Sequence, residues 1–481
     1  MSPTRVVMRG LFVLLAALLT ANSQGNSLVP RGDGLRAKID EAVAVKGLPS
    51  VVVVLFDEHR VLWSHVAGYA DIAAKRPPTL NTRYRVGSMA KAATSTVLAM
   101  AAQEHVISLD SGWPVATAQG SVRVSLKQAV NMQAGLAQAV CYDGITGGPD
   151  PLCQGGFNRD FTVAVTAGQG RYSYSNMGPQ IAADALALKL RGPFELLARR
   201  LLFRPAGMDG ATYRHSRPGA DQATSYDPGG KPYPHDFRIA PEAGAGLEAS
   251  ARDLVRFGQL HLSGRAPDGR RLLSARTLEL LHSAPNGGFY GYGWGRIGAN
   301  QLTEVLIADG QVNGGQAMLI LSPRRHVGAI VLSNAAHDEV SELALAAIDA
   351  IAPGTATAFA RELARMQSAH EAQSSAYFPS PDFTASGFVR VRQSRFPLTL
   401  QSRANKLSIA VAGDTSTSAE SSVDEGFRVW AIPCPRKIAE CARLGATAKI
   451  FLSRDAGGLG GQLQVTSING QVPFAVRLKL H

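Results

Sequence analysis

Ser88-Met89-Ala90-Lys91 is the one S-x-x-K in the chain, and its spacing is that of an assisted nucleophile. A serine hydroxyl attacks carbonyls poorly until a neighbouring group takes its proton. A lysine three residues on lies about one helical turn away on the same face, where its amine reaches that hydroxyl. The apolar run Ala92–Gln103 predicts a buried helix, with Ser88 at its start. Free backbone N–H groups and the positive dipole end there favour an oxyanion. Tyr174-Ser175-Asn176, the one Y-x-N, adds a second set. A tyrosine beside a cationic lysine is biased toward phenolate, and it can take the serine proton and return it to a leaving group. The asparagine amide can orient both the lysine and a substrate carbonyl.

The surrounding pattern predicts the scaffold that holds these groups. Leu35–Val45 reads as a helix, and Ser50–Phe56 and Val61–Val66 as two strands joined by a short polar turn. After the Ser88 helix, Asp110–Leu201 reads as mostly helical with long loops. Gln316–Ser322 and Val327–Ser333 read as central strands, and Val340–Ile351 as a closing helix. First and last strands are expected to share one antiparallel sheet, with the cleft between it and the inserted helical region. From Ala376 onward, short alternating runs such as Leu407–Val411 and Ala448–Phe451 are separated by Ser, Gly, Asp and Pro clusters. These predict a small β-sandwich or barrel. The fold class is therefore α+β: an antiparallel sheet flanked by helices with an inserted helical region, followed by a small all-β domain. The boundaries read as 1–23 leader, 24–34 flexible lead-in, 35–354 main domain, 355–375 helical connector and 376–481 β domain.

The chain resembles the serine β-lactamase and penicillin-binding-protein superfamily, in its class C β-lactamase, D,D-peptidase and esterase branch. The resemblance runs from Leu35 to Asp349. It is carried by Ala67–Asp71 with Tyr84–Lys91, by Leu126–Leu136, by Tyr172–Gly178, by Phe203–Met208, by Ala251–Leu254 and by Tyr290–Trp294. It implies that Ser88 is acylated, Lys91 is its partner, Tyr174 is general base and acid, and Asn176 is a polar clamp. The β tail is similar to the lipocalin-like barrels of some members. The third motif of the family, K-T-G or H-x-G at a strand edge, corresponds to Asp309-Gly310-Gln311-Val312. On this alignment Asp309 stands where a cation is usual and Gln311 replaces a glycine. The second oxyanion donor is expected near Val312. An aspartate there would repel a substrate carboxylate by a few kcal/mol at close range. Penicillins and free D-Ala-D-Ala termini are then poor substrates, and neutral or amine-bearing esters and amides fit better.

The resemblance implies a small-molecule or peptide acyl substrate, and the composition is that of an ordinary globular chain. The 481 residues are 45% hydrophobic and 18% charged, enough for two domains with substantial cores. Arg5 and Arg9, the apolar stretch Leu11–Leu19 and the small-x-small site Ala21-Asn22-Ser23 read as a signal peptide leaving Gln24 first. The apolar stretch is short for a membrane span, and the mature chain is expected to be periplasmic or secreted. The four cysteines pair most simply as Cys141–Cys153 and Cys434–Cys441, which an exported compartment permits. The +12 charge is scattered. It suggests contact with anionic envelope surfaces rather than nucleic acid, for which no binding signature is present. No cofactor or metal is expected: no H-x-x-x-H pair, phosphate loop or G-x-S-x-G elbow occurs. Two alternatives stand beside the serine hydrolase: a non-catalytic binding or sensor protein built on a degenerate site, and a true β-lactamase or D,D-carboxypeptidase.

Overall fold

The structure is a computed structural model. It describes residues 33–480 except 118–119, 137, 148–169, 171, 215–220, 286–287, 366–381, 392–393, 404–405, 419–420, 425–426, 439–440, 442–445, 456–457 and 468–469. The expected leader, all of the lead-in but Asp33 and Gly34, residues 366–375 of the connector, and Cys153 lie outside the described residues. The chain divides into two compact units that interleave along the sequence. The first comprises residues up to Leu109, Ala182–Phe237 and Glu242–Ala364. The second comprises Asp110–Ile181, Arg238–Pro241 and residues from Arg365 onward.

The first unit is built on one antiparallel sheet. Its strands are β1 (Ser50–Asp57), β2 (Val61–Gly68), β3 (Tyr290–Gly291), β4 (Trp294–Ile297), β5 (Val305–Val312), β6 (Gly315–Ser322) and β7 (Val327–Ser333), in the order β2-β1-β7-β6-β5-β4-β3. The central strands β6 and β7 are buried along their whole length, and β1 along all but its last residue. This is why they read as unbroken apolar runs rather than as alternating ones. The edge strand β2 is partly exposed throughout. The β1–β2 turn closes when the Asp57 carboxylate accepts hydrogen bonds from the backbone N–H groups of His59 and Arg60, at 2.8 and 2.7 Å. Helices α1 (Asp33–Ala44) and α4 (Glu339–Ile351) cover one face, and Leu35, Ile39, Leu343 and Ile348 pack there with Val53, Ile307, Ile320 and Val331. The opposite face meets α3 (Ala251–Ser263), and helix α2 (Ala90–Gln103) follows a turn that lies beside β5. A Cβ at Gly258 of α3 would collide with the Phe56 ring and press on Leu321, so the missing side chain sets how closely that helix lies. Helix α2 is buried from Ala90 to Ala101, and its threonines bond inside: Thr94 Oγ1 donates to the Ala243 carbonyl and Thr96 Oγ1 to the Ala92 carbonyl, both at 2.8 Å.

The second unit corrects one expectation. Its first part opens with a hairpin, Gly112–Thr117 with Gly120–Ser125, not a helix. Exposed Ser121 and Arg123 alternate there with Val122 and buried Val124, a period of two. Ser125 then caps the short helix Leu126–Val130 in a reciprocal box with Gln128. The C-terminal part is a nine-strand meander: β8 (Phe383–Val391), β9 (Ser394–Arg403), β10 (Lys406–Val411), β11 (Asp414–Ser418), β12 (Ser421–Asp424), β13 (Phe427–Ile432), β14 (Thr447–Asp455), β15 (Gly458–Ser467) and β16 (Gly470–Leu480). First strand β8 pairs with last strand β16, the connectivity of an up-and-down barrel. Leu398, Leu400, Ile409, Trp430, Ile450 and Val476 form its interior. Cys434 and Cys441 are joined by a disulfide. Strand β16 also pairs with Val140–Asp143, through Gly470 with Cys141 and Gln471 with Val140. Among the described residues no helix is long and apolar enough to cross a membrane.

Candidate active site

Ser88 lies in a 3-10 turn, Gly87–Met89, that leads into α2. The short strand Arg83–Arg85 delivers the chain to this turn, paired with Glu248–Ser250. Arg85 anchors it: its guanidinium donates to the Phe237 carbonyl at 2.9 Å and lies 3.7 Å over the Phe237 ring. Lys91, about one turn on from Ser88 and second in the helix, is fully buried. Its ammonium nitrogen donates to Ser88 Oγ at 2.8 Å and to the Gly244 carbonyl at 2.8 Å. Burial pushes the lysine down to about 7, against the opposing pull of Asp309. Near neutral pH the amine thus stands between its charged and free forms, at hydrogen-bonding distance from the hydroxyl.

Strand β5 runs beside this turn. Its partner β4 pairs only with Val305–Ile307, so the rest of that edge, from Ala308 to Val312, has no strand neighbour on the β4 side. Gly310 faces Ser88 directly: a Cβ there would overlap the Val86 carbonyl oxygen and the backbone nitrogens of Ser88 and Met89. Gly87 takes a positive φ of 54°, and a Cβ on it would stand 2.8 Å from the Gln311 backbone nitrogen. Two glycines therefore let the strand edge and the Ser88 turn touch main chain to main chain. The strand-edge nitrogen that stands at this turn is that of Gln311, one residue before Val312.

The residue of this stretch that meets the nucleophile turn is Gly310. Strand alternation turns Asp309 to the opposite face, where α4 lies. There Asp309 lines a small cavity with Gln311, Gln316, Met318 and Ser341. Burial raises its carboxyl to about 6, and Lys91 opposes that shift. The carboxylate makes no ion pair or hydrogen bond with the side chain of another described residue.

Tyr174 and Asn176 belong to the second unit, and both are buried. Their segment is stitched to the chain that follows the Leu126–Val130 helix. Ser173 N–H donates to the Met132 carbonyl at 2.7 Å, and Ser173 Oγ to the Leu136 carbonyl at 3.3 Å. The Asn176 amide nitrogen donates to the Ala139 carbonyl at 2.7 Å, and Gly178 packs against the Ala129 carbonyl so closely that a Cβ has no room. Two stretches singled out separately in the sequence, Leu126–Leu136 and Tyr172–Gly178, are thus one local structure. The structure brings together Ser88, Lys91 and Asp309–Val312 in one unit, and Tyr174 with Asn176 in the other. Sequence reasoning missed the Gly244 carbonyl, which carries no side-chain signal. It also missed the steric role of Gly310, for which the glycine itself was the only sign.

Comparison with known proteins follows this geometry. The family model described as Beta-lactamase matches residues 35–352. A D-aminopeptidase from Brucella anthropi is 28% identical over 268 residues, 53% of this chain and 51% of that protein. A second D-aminopeptidase, from a named strain of the same species, is 27% identical over 252 residues, 50% of this chain and 48% of its own. The chain therefore spans about half the length of the curated relatives it matches. Among solved structures, the octameric penicillin-binding protein homologue from Pyrococcus abyssi aligns with a TM-score of 0.57 at 16% identity, covering 93% of this chain and all of that one. D-alanine carboxypeptidase AmpC from Burkholderia cenocepacia aligns at 0.52 and 18% identity, covering 66% of this chain and 99% of its own. Both share the fold.

Proposed function

Because the chain belongs to the beta-lactamase family, we propose that it is a serine hydrolase forming an acyl-enzyme on Ser88 from ester, amide or peptide donors. The observation that carries this reading is the 2.8 Å hydrogen bond between buried Lys91 and Ser88 Oγ. Ser88 Oγ attacks the acyl carbonyl, and the displaced electron pair settles on the carbonyl oxygen between the N–H groups of Ser88 and Gln311. Tyr174 takes the serine proton and returns it to the leaving amine or alkoxide as the acyl bond breaks. Asn176 acts as the polar clamp. Water then attacks the ester and frees Ser88. The roles of Tyr174 and Asn176 rest on their motif. A second reading is favoured by the lysine itself: an amine held at about 7 can, when unprotonated, take the serine proton directly.

Hydrolysis of p-nitrophenyl butyrate by wild type and by Ser88→Ala tests the proposal. Turnover that vanishes in Ser88→Ala, with an acyl mass adduct on Ser88, supports it; equal rates, or none in either protein, favour the non-catalytic binding or sensor alternative. Tyr174→Phe separates the two proton routes. Loss of roughly 10²–10⁴-fold in kcat marks the tyrosine as the proton carrier, and near-wild-type kcat assigns that role to Lys91. Because Gly310 is the glycine that meets the Ser88 turn, we take the third motif as Ala308-Asp309-Gly310, one residue earlier than the sequence alone suggests; that triplet has no cation, which speaks against a true β-lactamase or D,D-carboxypeptidase. The D-aminopeptidase relatives support peptide amides instead. Export to the periplasm or exterior belongs to the same reading. It is carried by residues 1–23, and an N-terminus at Gln24 in the secreted protein would be its signature.

A further inference from the structure

We propose that the cavity beside Asp309, lined also by Gln311, Gln316 and Ser341, is a subsite for an ammonium group on the acyl donor. As a substrate subsite it rests on the serine hydrolase reading above. The chemistry of the lining selects the ligand. Asp309 brings a carboxylate that no described side chain neutralises by contact. Gln311 brings an amide oxygen and Ser341 a hydroxyl, so three acceptors face one small space. An –NH3+ group has three donors and no acceptor. The cavity has room for one group the size of a water molecule, about 10 Å3, which is also the size of an ammonium. Gln316 is partly committed, since its amide oxygen accepts from the His337 backbone N–H at 2.8 Å. It helps to hold the start of α4 in place, and with it Ser341.

The position of the cavity ties it to the reaction. Gln311 contributes to both places: its backbone nitrogen stands at the Ser88 turn, and its side chain lines the cavity. A donor whose carbonyl oxygen rests on Gln311 N–H has its neighbouring substituent beside the Gln311 side chain. Asp309 is two residues back along the same strand face, about 7 Å away. An amine within a few bonds of the scissile carbonyl spans that distance. A carboxylate or a bulky apolar group in the same place meets Asp309 without compensation. Asp309 is ionised at neutral pH, its carboxyl titrating at about 6.

The test uses full-length Ser88→Ala protein, so that binding is read without turnover. Alaninamide, which carries a free ammonium, and N-acetylalaninamide, which does not, are titrated calorimetrically in both enantiomers. The expected result is at least tenfold tighter binding of alaninamide in one enantiomer, as for a charge-assisted hydrogen bond. That preference should disappear in Ser88→Ala/Asp309→Asn and survive in Ser88→Ala/Asp309→Glu. Equal affinities, no measurable binding of either amide, or a preference that persists in Asp309→Asn overturns the subsite. The preference in Ser88→Ala protein is decisive even if the Asp309→Asn protein does not fold. Absence of ester turnover in wild type together with an intact amine preference would sink the hydrolase reading and leave the subsite standing.

Discussion

Gly310→Ala tests whether the strand edge and the nucleophile turn form one oxyanion seat. The added methyl would stand 2.7 Å from Met89 N, and nearer still to Ser88 N and the Val86 carbonyl, where ordinary contact begins at 3.4 Å. Relief therefore requires a shift of about 0.7–1.3 Å. All three obstacles are main-chain atoms, so no rotamer change supplies it. Strand β5 cannot retreat freely, because Gly310 is held in register with Ala317 of β6. The Ser88 turn must move instead, carrying the hydroxyl away from Gln311 N–H. A misplacement of about 1 Å in a catalytic group costs roughly 10²-fold in rate. Overpacking costs about 1–3 kcal/mol of stability, a few degrees in Tm. The assay is kcat/KM for p-nitrophenyl butyrate, with thermal unfolding in parallel. Gly34→Ala is the control, because a Cβ there meets nothing within 4 Å. A Gly310→Ala protein with wild-type kcat/KM, beside an inactive Ser88→Ala, would refute the shared seat and the assignment of Gln311 as donor.

Further perturbations probe the lysine. Lys91→Met should lower kcat by roughly 10²–10⁴-fold, and turnover no worse than threefold below wild type would exclude Lys91 from the reaction. The same substitution has a stability signature. The folded lysine titrates at about 7 and the unfolded one at 10.5, so between those values the unfolded chain holds a proton that the folded chain does not. Wild-type stability should therefore rise with pH across that window by up to about 1.4 kcal/mol per unit relative to Lys91→Met. Chemical denaturation at pH 7 and pH 9 reads this difference, and a constant offset would contradict it. If the free amine of Lys91 assists attack, turnover should rise as pH climbs through about 7. Asp309 raises the lysine pKa, so Asp309→Asn should move that rise to lower pH; a rise that stays in place or moves upward in the pH–rate profile would count against the coupling.

The sequence by itself determined what depends on neighbours along the chain. A serine and a lysine three residues apart at a helix start meet because helix geometry brings i and i+3 together, and the structure places them 2.8 Å apart. The unbroken apolar runs of β1, β6 and β7 declared themselves as central strands, and the alternating runs after Ala376 as all-β structure. Burial on two faces and on one face write different patterns. The stretch from Asp110 was less legible. A six-residue strand and one turn of helix carry too few positions for either period to dominate.

Only the tertiary structure decided the third motif. Which of Asp309, Gly310 and Gln311 meets the nucleophile depends on how β5 lies against a turn more than 200 residues earlier in the chain, and a register change of one residue reverses every side chain. That alternation puts Asp309 in a cavity with Ser341 of α4, a residue that nothing local links to it. The Gly244 carbonyl on Lys91 is of the same kind. A backbone acceptor has no side-chain identity, and it becomes part of a site only when distant segments fold against each other.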